Sequence, residues 1–444
     1  MEQKKERPNR SIKSPVVSVE SNTVLGEFNY RLQFDGSHPL KDRMLLIYAE
    51  NGMGKTNFLK TVYHLLSPRL ESLQALADLH VDEMKISLES GATISLSEAS
   101  DADALFSCQL QIPQEFDDDL LVEVTVRQED IDSRAFRRAS RRHDIYKYLN
   151  TLEEIVNPAV FVGDDRLIHS SSESSPPYRS SSPNENRHWT VDKPQIPGQS
   201  LRDSLDAVGR EFMNQYIRTV SKDSTRAGEG VYVEITKRVL EGNAQKLLAA
   251  DARRSLLDQV ESLLEEAPIY ETYGLVSFNQ VRRIKQMIDE TRVNHQTFRP
   301  LHGIIEPYLS SMRDKIDTLV DTQELIDTFV SSVNSFLERK ELRFSISEGI
   351  RLRGRNQEEI DPDGLSSGEK HLLLLLSHSV LARQAGSLVI IDEPELSLGL
   401  RWQRKLLSEL LRCTEGSGVR FLMASHSVQI MGDLDDVMRP TEAW

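Results

Sequence analysis

The sequence predicts an α/β fold, a mixed sheet with an antiparallel β layer, whose two halves are interrupted by a mainly helical insertion. Three observations carry this. The run Met44–Tyr48 is apolar without alternation, and after a glycine-rich turn Phe58, Leu59, Val62, Tyr63, Leu65 and Leu66 recur at helical spacing; this is the pattern of a strand buried on both faces that feeds a helix. A second apolar run, SLVIIDEPE, ends in acids late in the chain. Between the two, residues 200 to 340 read mostly as helix.

The elements follow in order. Residues 1–15 are polar and predict a disordered tail, and short β-like runs follow at Val16–Val19 and Phe28–Phe34. Residues 84–128, with MKISLESGATISLS and LLVEVTVRQ, predict the antiparallel layer, which completes a first half at 16–166. Residues 167–200 are rich in Ser, Pro and Asn, cannot bury a core and read as a mobile loop. In the helical insertion and oligomerisation region, 201–340, a heptad seam runs through Leu309, Met312, Ile316, Leu319, Gln323, Ile326, Val330, Val333 and Leu337. It spans roughly 45 Å and suits either a long core helix or a short coiled-coil hairpin for oligomer contacts. The second half, 341–444, contains the strand-like FSISEGIRL, then DGLSSGEKHLLLLLSHSVLA as loop and helix, the acid-ended strand, the helix WQRKLLSELLR and the strand VRFLMASHS.

Bulk properties exclude several classes. The 444 residues are 39% hydrophobic, enough for one large domain with an insertion or for two to three ordinary ones. A formal net charge of -15 excludes a uniformly basic nucleic-acid coat but not a local basic patch. Cys108 and Cys413 have no metal-like spacing and read as reduced thiols of a cytoplasmic protein. The N-terminal MEQKKERPNR has no apolar signal core, and no apolar run reaches the length of about 18 residues that a membrane span needs.

A nucleoside triphosphate needs inward-turned N–H groups, a lysine across its β- and γ-phosphates, a hydroxyl on magnesium, an acid for the metal and a base for the attacking water. The stretch AENGMGKTN, residues 49–57, supplies the first of these, with Asn51, Gly52, Gly54, Lys55, Thr56 and Asn57 as candidate nucleotide-binding residues. Ala49 stands where the pattern G-x-x-x-x-G-K-[ST] opens on glycine, which a residue with negative φ tolerates. Asp392 and Glu393 end a buried strand, where Asp392 can hold magnesium with Thr56 and Glu393 can polarise water. In LSSGEK, Ser366, Ser367, Gly368 and Glu369 open a helix; they suit either an anion-binding turn or an ordinary capped start. His426 follows the last strand, in line to meet a γ-phosphate.

The ordered set GxGKT, LSSGE, DEPE and SHS resembles the ABC-type ATPase head shared by RecF-like, SMC-like and OLD-like proteins. The resemblance covers residues 16–166 and 340–440. It implies ATP and Mg²⁺ as ligands, Glu393 as catalytic base, His426 as γ-phosphate sensor, and Ser366 and Gly368 closing over the ATP of another subunit. The active unit is then at least a dimer. LSSGEKHLLLLL and DEPELSL resemble the OLD-like branch of anti-phage proteins, with departures: Gly399 and Leu400 replace a His-Pro pair, and there is no clear glutamine loop. Gln109, Gln111 and the run FVGDDR (161–166) are the alternatives for a magnesium sensor.

The layout lacks a nuclease segment after His426. The resemblance therefore implies the ATPase subunit of a two-component anti-phage system, a multimeric scaffold holding a separate toprim-type nuclease and releasing it on meeting a phage trigger protein. The alternative is a RecF- or SMC-like DNA-binding repair ATPase acting as an ATP-dependent clamp.

One basic stretch stands out from the acidic chain. Arg134, Arg137, Arg138, Arg141 and Arg142 cluster near Phe136, Tyr146 and Tyr148. They suit a solvated helix face or an anion-binding patch for DNA or a DNA mimic. Arg282 and Arg283 form a weaker candidate.

Overall fold

A computed structural model describes residues 13–24, 28–34, 42–48, 50, 52–79, 81–101, 103–114, 119–131, 143–163, 168–170, 197–224, 236, 249–290, 295–383, 386–431, 438–440 and 442–443. The chain divides into two compact units, residues 1–201 with 366–444, and residues 202–365.

The first unit begins with strands β1 (Val16–Val24), β2 (Phe28–Gln33) and β3 (Met44–Tyr48), then helices α1 (Lys55–Leu65) and α2 (Leu70–Leu76). Strands β4 (Val81–Leu88), β5 (Thr93–Ser97), β6 (Ala104–Ile112) and β7 (Leu120–Arg127) follow, then α3 (Gln128–Ile131), α4 (His143–Ile155), β8 (Ala159–Val162) and β9 (Ile168–Ser170). Helix α5 (Pro197–Ser224) leads into the second unit, with α6 (Ala249–Thr272), α7 (Asn279–Glu290), α8 (His295–Asn334), β10 (Lys340–Ser345) and β11 (Gly349–Gly354). The chain returns with α9 (Ser367–Ala382), β12 (Leu388–Asp392), α10 (Leu400–Cys413), β13 (Arg420–Ser425), α11 (Val428–Met431), β14 (Met438–Pro440) and β15 (Glu442–Ala443).

Two sheets form the first unit. The antiparallel layer runs β15-β2-β1-β4-β5-β6-β7, and the mixed sheet runs β14-β3-β13-β12-β8-β9. Strands β14, β3, β13, β12 and β8 are parallel, and β9 turns back antiparallel to β8. Helix α1 touches β12, β13 and β8 of the mixed sheet and β1 and β4 of the layer. Its Phe58, Leu59 and Val62 share one core with Leu45, Ile47, Ile390, Leu422 and Ala424. Met44, Leu46, Val389, Ile391, Phe421 and Met423 alternate with these and are also buried, on the opposite face. Burial on both faces is why these strands show no polar alternation.

Leu372–Leu376 are buried in α9. On the same helix, burial pushes the His378 imidazole down from 6.5 to about 4. The folded chain therefore keeps it neutral while the unfolded chain takes up a proton first. Its contribution is present above pH 6.5 and is lost as pH falls toward 4. Thermal midpoints of wild type and His378→Gln between pH 7 and 4.5 check this: the wild type is expected to fall more steeply.

In the second unit the heptad seam is consumed within the chain. Leu309, Ile316, Leu319, Gln323, Ile326, Val333 and Leu337 are buried, and so are Leu256, Val260, Leu263 and Ala267 of α6, which packs on α8. Arg313 of α8 pairs with Glu266, and Tyr273 just past α6 donates to Asp327 at 2.7 Å. Both pairings advance together, so α6 and α8 run parallel, while α7 runs back along α6, with Lys285 against Glu261 and Asp289 against Arg253. On α5, Phe212 meets the Phe329 ring edge-on at 5.7 Å and Thr219 lies 3.4 Å from Thr322, an antiparallel pairing with α8. Of the two readings, the core helix describes this seam.

The strand-like FSISEGIRL is a hairpin instead. Strands β10 and β11 pair antiparallel, with Ser345 opposite Gly349 and the turn between them. Gly349 has φ 72, a left-handed turn position that favours glycine. Of the expected tail 1–15 and loop 167–200, residues 1–12, 167 and 171–196 lie outside the described residues; Ser14 is engaged, donating its N–H to Ile155 O at 3.2 Å, and the two ends of the expected loop are β9 and the start of α5.

Candidate nucleotide site

Strand β3 delivers the chain to the glycine turn. Gly52 (φ 87) and Gly54 (φ 74) are left-handed, and Gly54 caps α1 without a side chain. Apart from its two chain neighbours, no atom of the described residues lies within 4 Å of where a Cβ on Gly52 would stand, which leaves space beside it for a ligand. Lys55 is the first residue of α1; its Nζ is folded back and donates to Glu50 O at 2.9 Å. The turn is braced by the antiparallel layer: the Tyr30 hydroxyl donates to Met53 O, and its ring stacks on Phe58 at 4.5 Å. Burial pushes the Tyr30 phenol up to about 12. Ala49 and Asn51 lie outside the described residues, and Asn57 sits in the first turn of α1.

Three of the predicted residues converge with Thr56 at one sheet edge. Thr56 Oγ1 donates to Asp392 Oδ2 at 2.6 Å, and Asp392 is 1% exposed at the end of β12. Parallel pairing sets Asp392 beside Ala424, which brings Ser425 and His426 to the same edge. Glu393 adopts φ 51, a left-handed value unusual for a side-chain-bearing residue, and its N–H is tied to Ala424 O at 2.9 Å. His426 Nδ1 lies 3.6 Å from Glu393 Oε1 and 3.4 Å from Glu395 Oε1. A hydroxyl and a carboxylate in contact are oxygen donors of the kind Mg²⁺ takes. Thr56 and Asp392 therefore fit that ion, and the open glycine turn fits phosphate.

The Ser366–Glu369 turn has a local explanation. Ser366 caps α9; its Oγ accepts from Glu369 N–H at 3.4 Å, and Glu369 Oε2 accepts from Ser366 N–H at 2.7 Å. The capping-box reading holds, while Ser366 and Ser367 remain exposed. Gly368 is buried against the loop after β12: a Cβ there would stand 2.5 Å from Ser397 O. Gly368→Ala is therefore expected to cost about 1–3 kcal/mol by overpacking, read as a lower thermal midpoint of the chain without nucleotide. An unchanged midpoint would mean that the loop yields freely.

Other candidates separate. Arg134, Arg137, Arg138, Arg141, Arg142 and Phe136 lie outside the described residues. Tyr146 is 48% exposed, but Tyr148 is 1% exposed, so its ring belongs to the core and not to an anion patch. Arg282 is likewise not a free cation: it donates to Glu271 at 2.8 and 2.6 Å, whereas Arg283 is exposed. Gln109 and Gln111 pair across β6 and β7 with Glu123 and Asp119 at 3.1 and 2.8 Å. In FVGDDR, Val162 is level with Ile391, so Gly163 leaves the sheet at the edge that carries Asp392; residues 164–166 lie outside the described residues. Glu395 was not singled out by sequence reasoning; its signal was the second acid of DEPE.

Two sheets sandwiching α1, a glycine turn and converging Thr56, Asp392, Glu393 and His426 define a class, the P-loop ATPase head of the ABC type. The chain belongs to the family described as "AAA domain, putative AbiEii toxin, Type IV TA system", which matches residues 50–432. No curated protein matches the sequence. Among solved structures, the Smc head domain with an extended coiled coil bound to the C-terminal domain of ScpA, from Pyrococcus furiosus, is 12% identical, with 97% of this chain and 96% of that chain covered and a TM-score of 0.38. The SMC head domain from Thermotoga maritima is 10% identical, with 96% and 94% covered and a TM-score of 0.34. The Smc head domain with a coiled coil and joint from Pyrococcus yayanosii is 12% identical, with 96% of each chain covered and a TM-score of 0.36. Among the described residues, no helix is long and apolar enough to cross a membrane.

Proposed function

We propose that the chain is an ATP hydrolase with slow, switch-like turnover. The observation that carries this is the 2.6 Å contact between Thr56 and Asp392, with Glu393 and His426 at the same sheet edge. In this reading the N–H groups of the Gly52–Gly54 turn, flanked by Asn51 and Asn57, hold the phosphates, and Lys55 reaches the β- and γ-phosphates. Thr56 and Asp392 hold Mg²⁺, which when bound neutralises phosphate charge. Glu393 takes the proton of the attacking water, and His426 hydrogen-bonds the γ-phosphate. The exposed Ser366 and Ser367, with Gly368 and Glu369 behind them, close over the ATP of a second copy, so the working unit is a homo-oligomer.

We further propose a defence setting: a sensor and scaffold of a two-component anti-phage system that resembles the ATPase subunit AriA of PARIS, with the Septu ATPase next. It holds a separate toprim-type nuclease and releases it on meeting a phage trigger protein, with the stretch Arg134–Arg142 as the surface for DNA or a DNA mimic. A family description that names a toxin of a TA system supports action with a second component. The test is native mass spectrometry of tagged Glu393→Gln, expressed from its natural operon with ATP present. A large homomeric assembly carrying a nuclease-sized chain supports this reading. A plain dimer without a protein partner supports the DNA clamp instead.

A further inference from the structure

Glu395, three residues beyond Asp392, is only 6% exposed. A carboxylate in such a position is strongly disfavoured unless hydrogen bonds compensate it. Its Oε1 accepts the Ser425 hydroxyl at 2.7 Å, the His426 N–H at 2.9 Å and the Ser427 N–H at 3.1 Å. These donors are the whole turn that presents His426. The turn is closed from its far side as well. The Ser427 hydroxyl donates to Gln403 Oε1 at 2.7 Å, Gln403 Nε2 donates to Leu398 O at 2.8 Å, and Leu398 N–H donates back to Glu395 O at 2.9 Å.

The result is a ring of bonds that joins the loop after β12, helix α10 and the turn after β13. The His426 imidazole is 46% exposed and has the Glu393 and Glu395 carboxylates on its Nδ1 side. Oε1 is taken up by the three donors of the turn, while Oε2 is buried and meets no hydrogen-bond partner among the described residues, so the contacts that this carboxylate makes are those that hold the turn.

We propose that Glu395 is a positioning residue that fixes the 425–427 turn, so that the His426 imidazole meets the γ-phosphate of bound ATP. This rests on the ATP-hydrolase reading. A neutral amide of the same size replaces the charged acceptor with a weaker one and brings an NH₂ into a pocket shaped for a carboxylate. The turn then loosens while the phosphate-holding residues are untouched.

The experiment compares wild type, Glu395→Gln, His426→Ala and the double variant in the full chain, by ATP turnover, ATP affinity and backbone amide exchange. Glu395→Gln is expected to lower kcat about 10–100-fold, the size of effect seen when an orienting partner is removed. ATP affinity stays unchanged, and the amides of His426 and Ser427 exchange faster. The double variant is expected to be no slower than His426→Ala, because Glu395 acts through that residue. Glu395→Asp, which keeps the charge, should recover part of the loss, and it carries the same test if the Gln variant fails to fold. Wild-type kcat in Glu395→Gln, or losses that multiply in the double variant, would overturn this role alone. A wild-type chain with no ATP turnover would overturn the hydrolase reading and this role with it.

Discussion

Glu393→Gln is expected to lower ATP turnover by about 10²–10⁴-fold, the usual contribution of a positioned base, while ATP affinity is retained. Glutamine keeps the length and the left-handed backbone that Glu393 already occupies at φ 51, and the N–H bond to Ala424 does not involve the side chain. What is lost is the proton acceptor. Thr56, Asp392 and Lys55 remain in place, so the nucleotide stays bound and the ATP-held dimer accumulates. Phosphate release and native mass measured on the same sample check both halves. Turnover equal to wild type would remove Glu393 from the base role, and turnover lost together with affinity would mean a disrupted site.

The second large effect is expected from Lys55→Ala. Removing one partner of an enclosed charge pair costs about 2–5 kcal/mol, so ATP affinity should drop by a factor of roughly 30 to several thousand, in practice to undetectable binding. The fold should survive. In the nucleotide-free chain the Nζ atom makes a 2.9 Å bond to Glu50 O, and a single such bond contributes only about 0.5–1.5 kcal/mol. A nucleotide titration beside a thermal melt separates the two: lost binding with a nearly unchanged midpoint is the expected pair. Unchanged affinity would take the glycine turn out of the site.

Much of this was legible because the parallel strands are short apolar runs with special residues at their ends. Met44–Tyr48 and Leu388–Asp392 each announce a buried strand, and the chemistry follows immediately after it. What escaped depends on pairing between distant segments. Glu395 becomes an anchor only when β13 lies beside β12 and turns its amides inward, which no local pattern states. Tyr148 is different, since its signal was present: Ile145, Tyr148, Leu152 and Ile155 recur at helical spacing and are all buried, so the aromatic beside a basic run belonged to an amphipathic helix. The hairpin at 340–354 was masked by continuous β propensity, and Gly349 was the mark that the chain reverses there. Arg282 illustrates a limit of charge counting: its partner Glu271 precedes it by a helical turnaround that composition cannot show.

The two halves of the nucleotide-binding unit are separated by the whole of residues 202–365, and Thr56 meets Asp392 across 336 positions of sequence. This has a consequence for synthesis. At about 5–20 residues per second, β3 leaves the ribosome's peptidyl-transfer centre about 20–75 s before the β13 residues that hydrogen-bond to it are made. The antiparallel layer β4–β7 can close on itself early, since its strands are sequential neighbours. The glycine turn, by contrast, emerges with its sheet edge unpaired and with nothing to hold a metal. A nascent chain is thus expected to be blind to nucleotide until β12 and β13 have been translated, and products truncated before them are expected to be ATP-silent and not constitutively active.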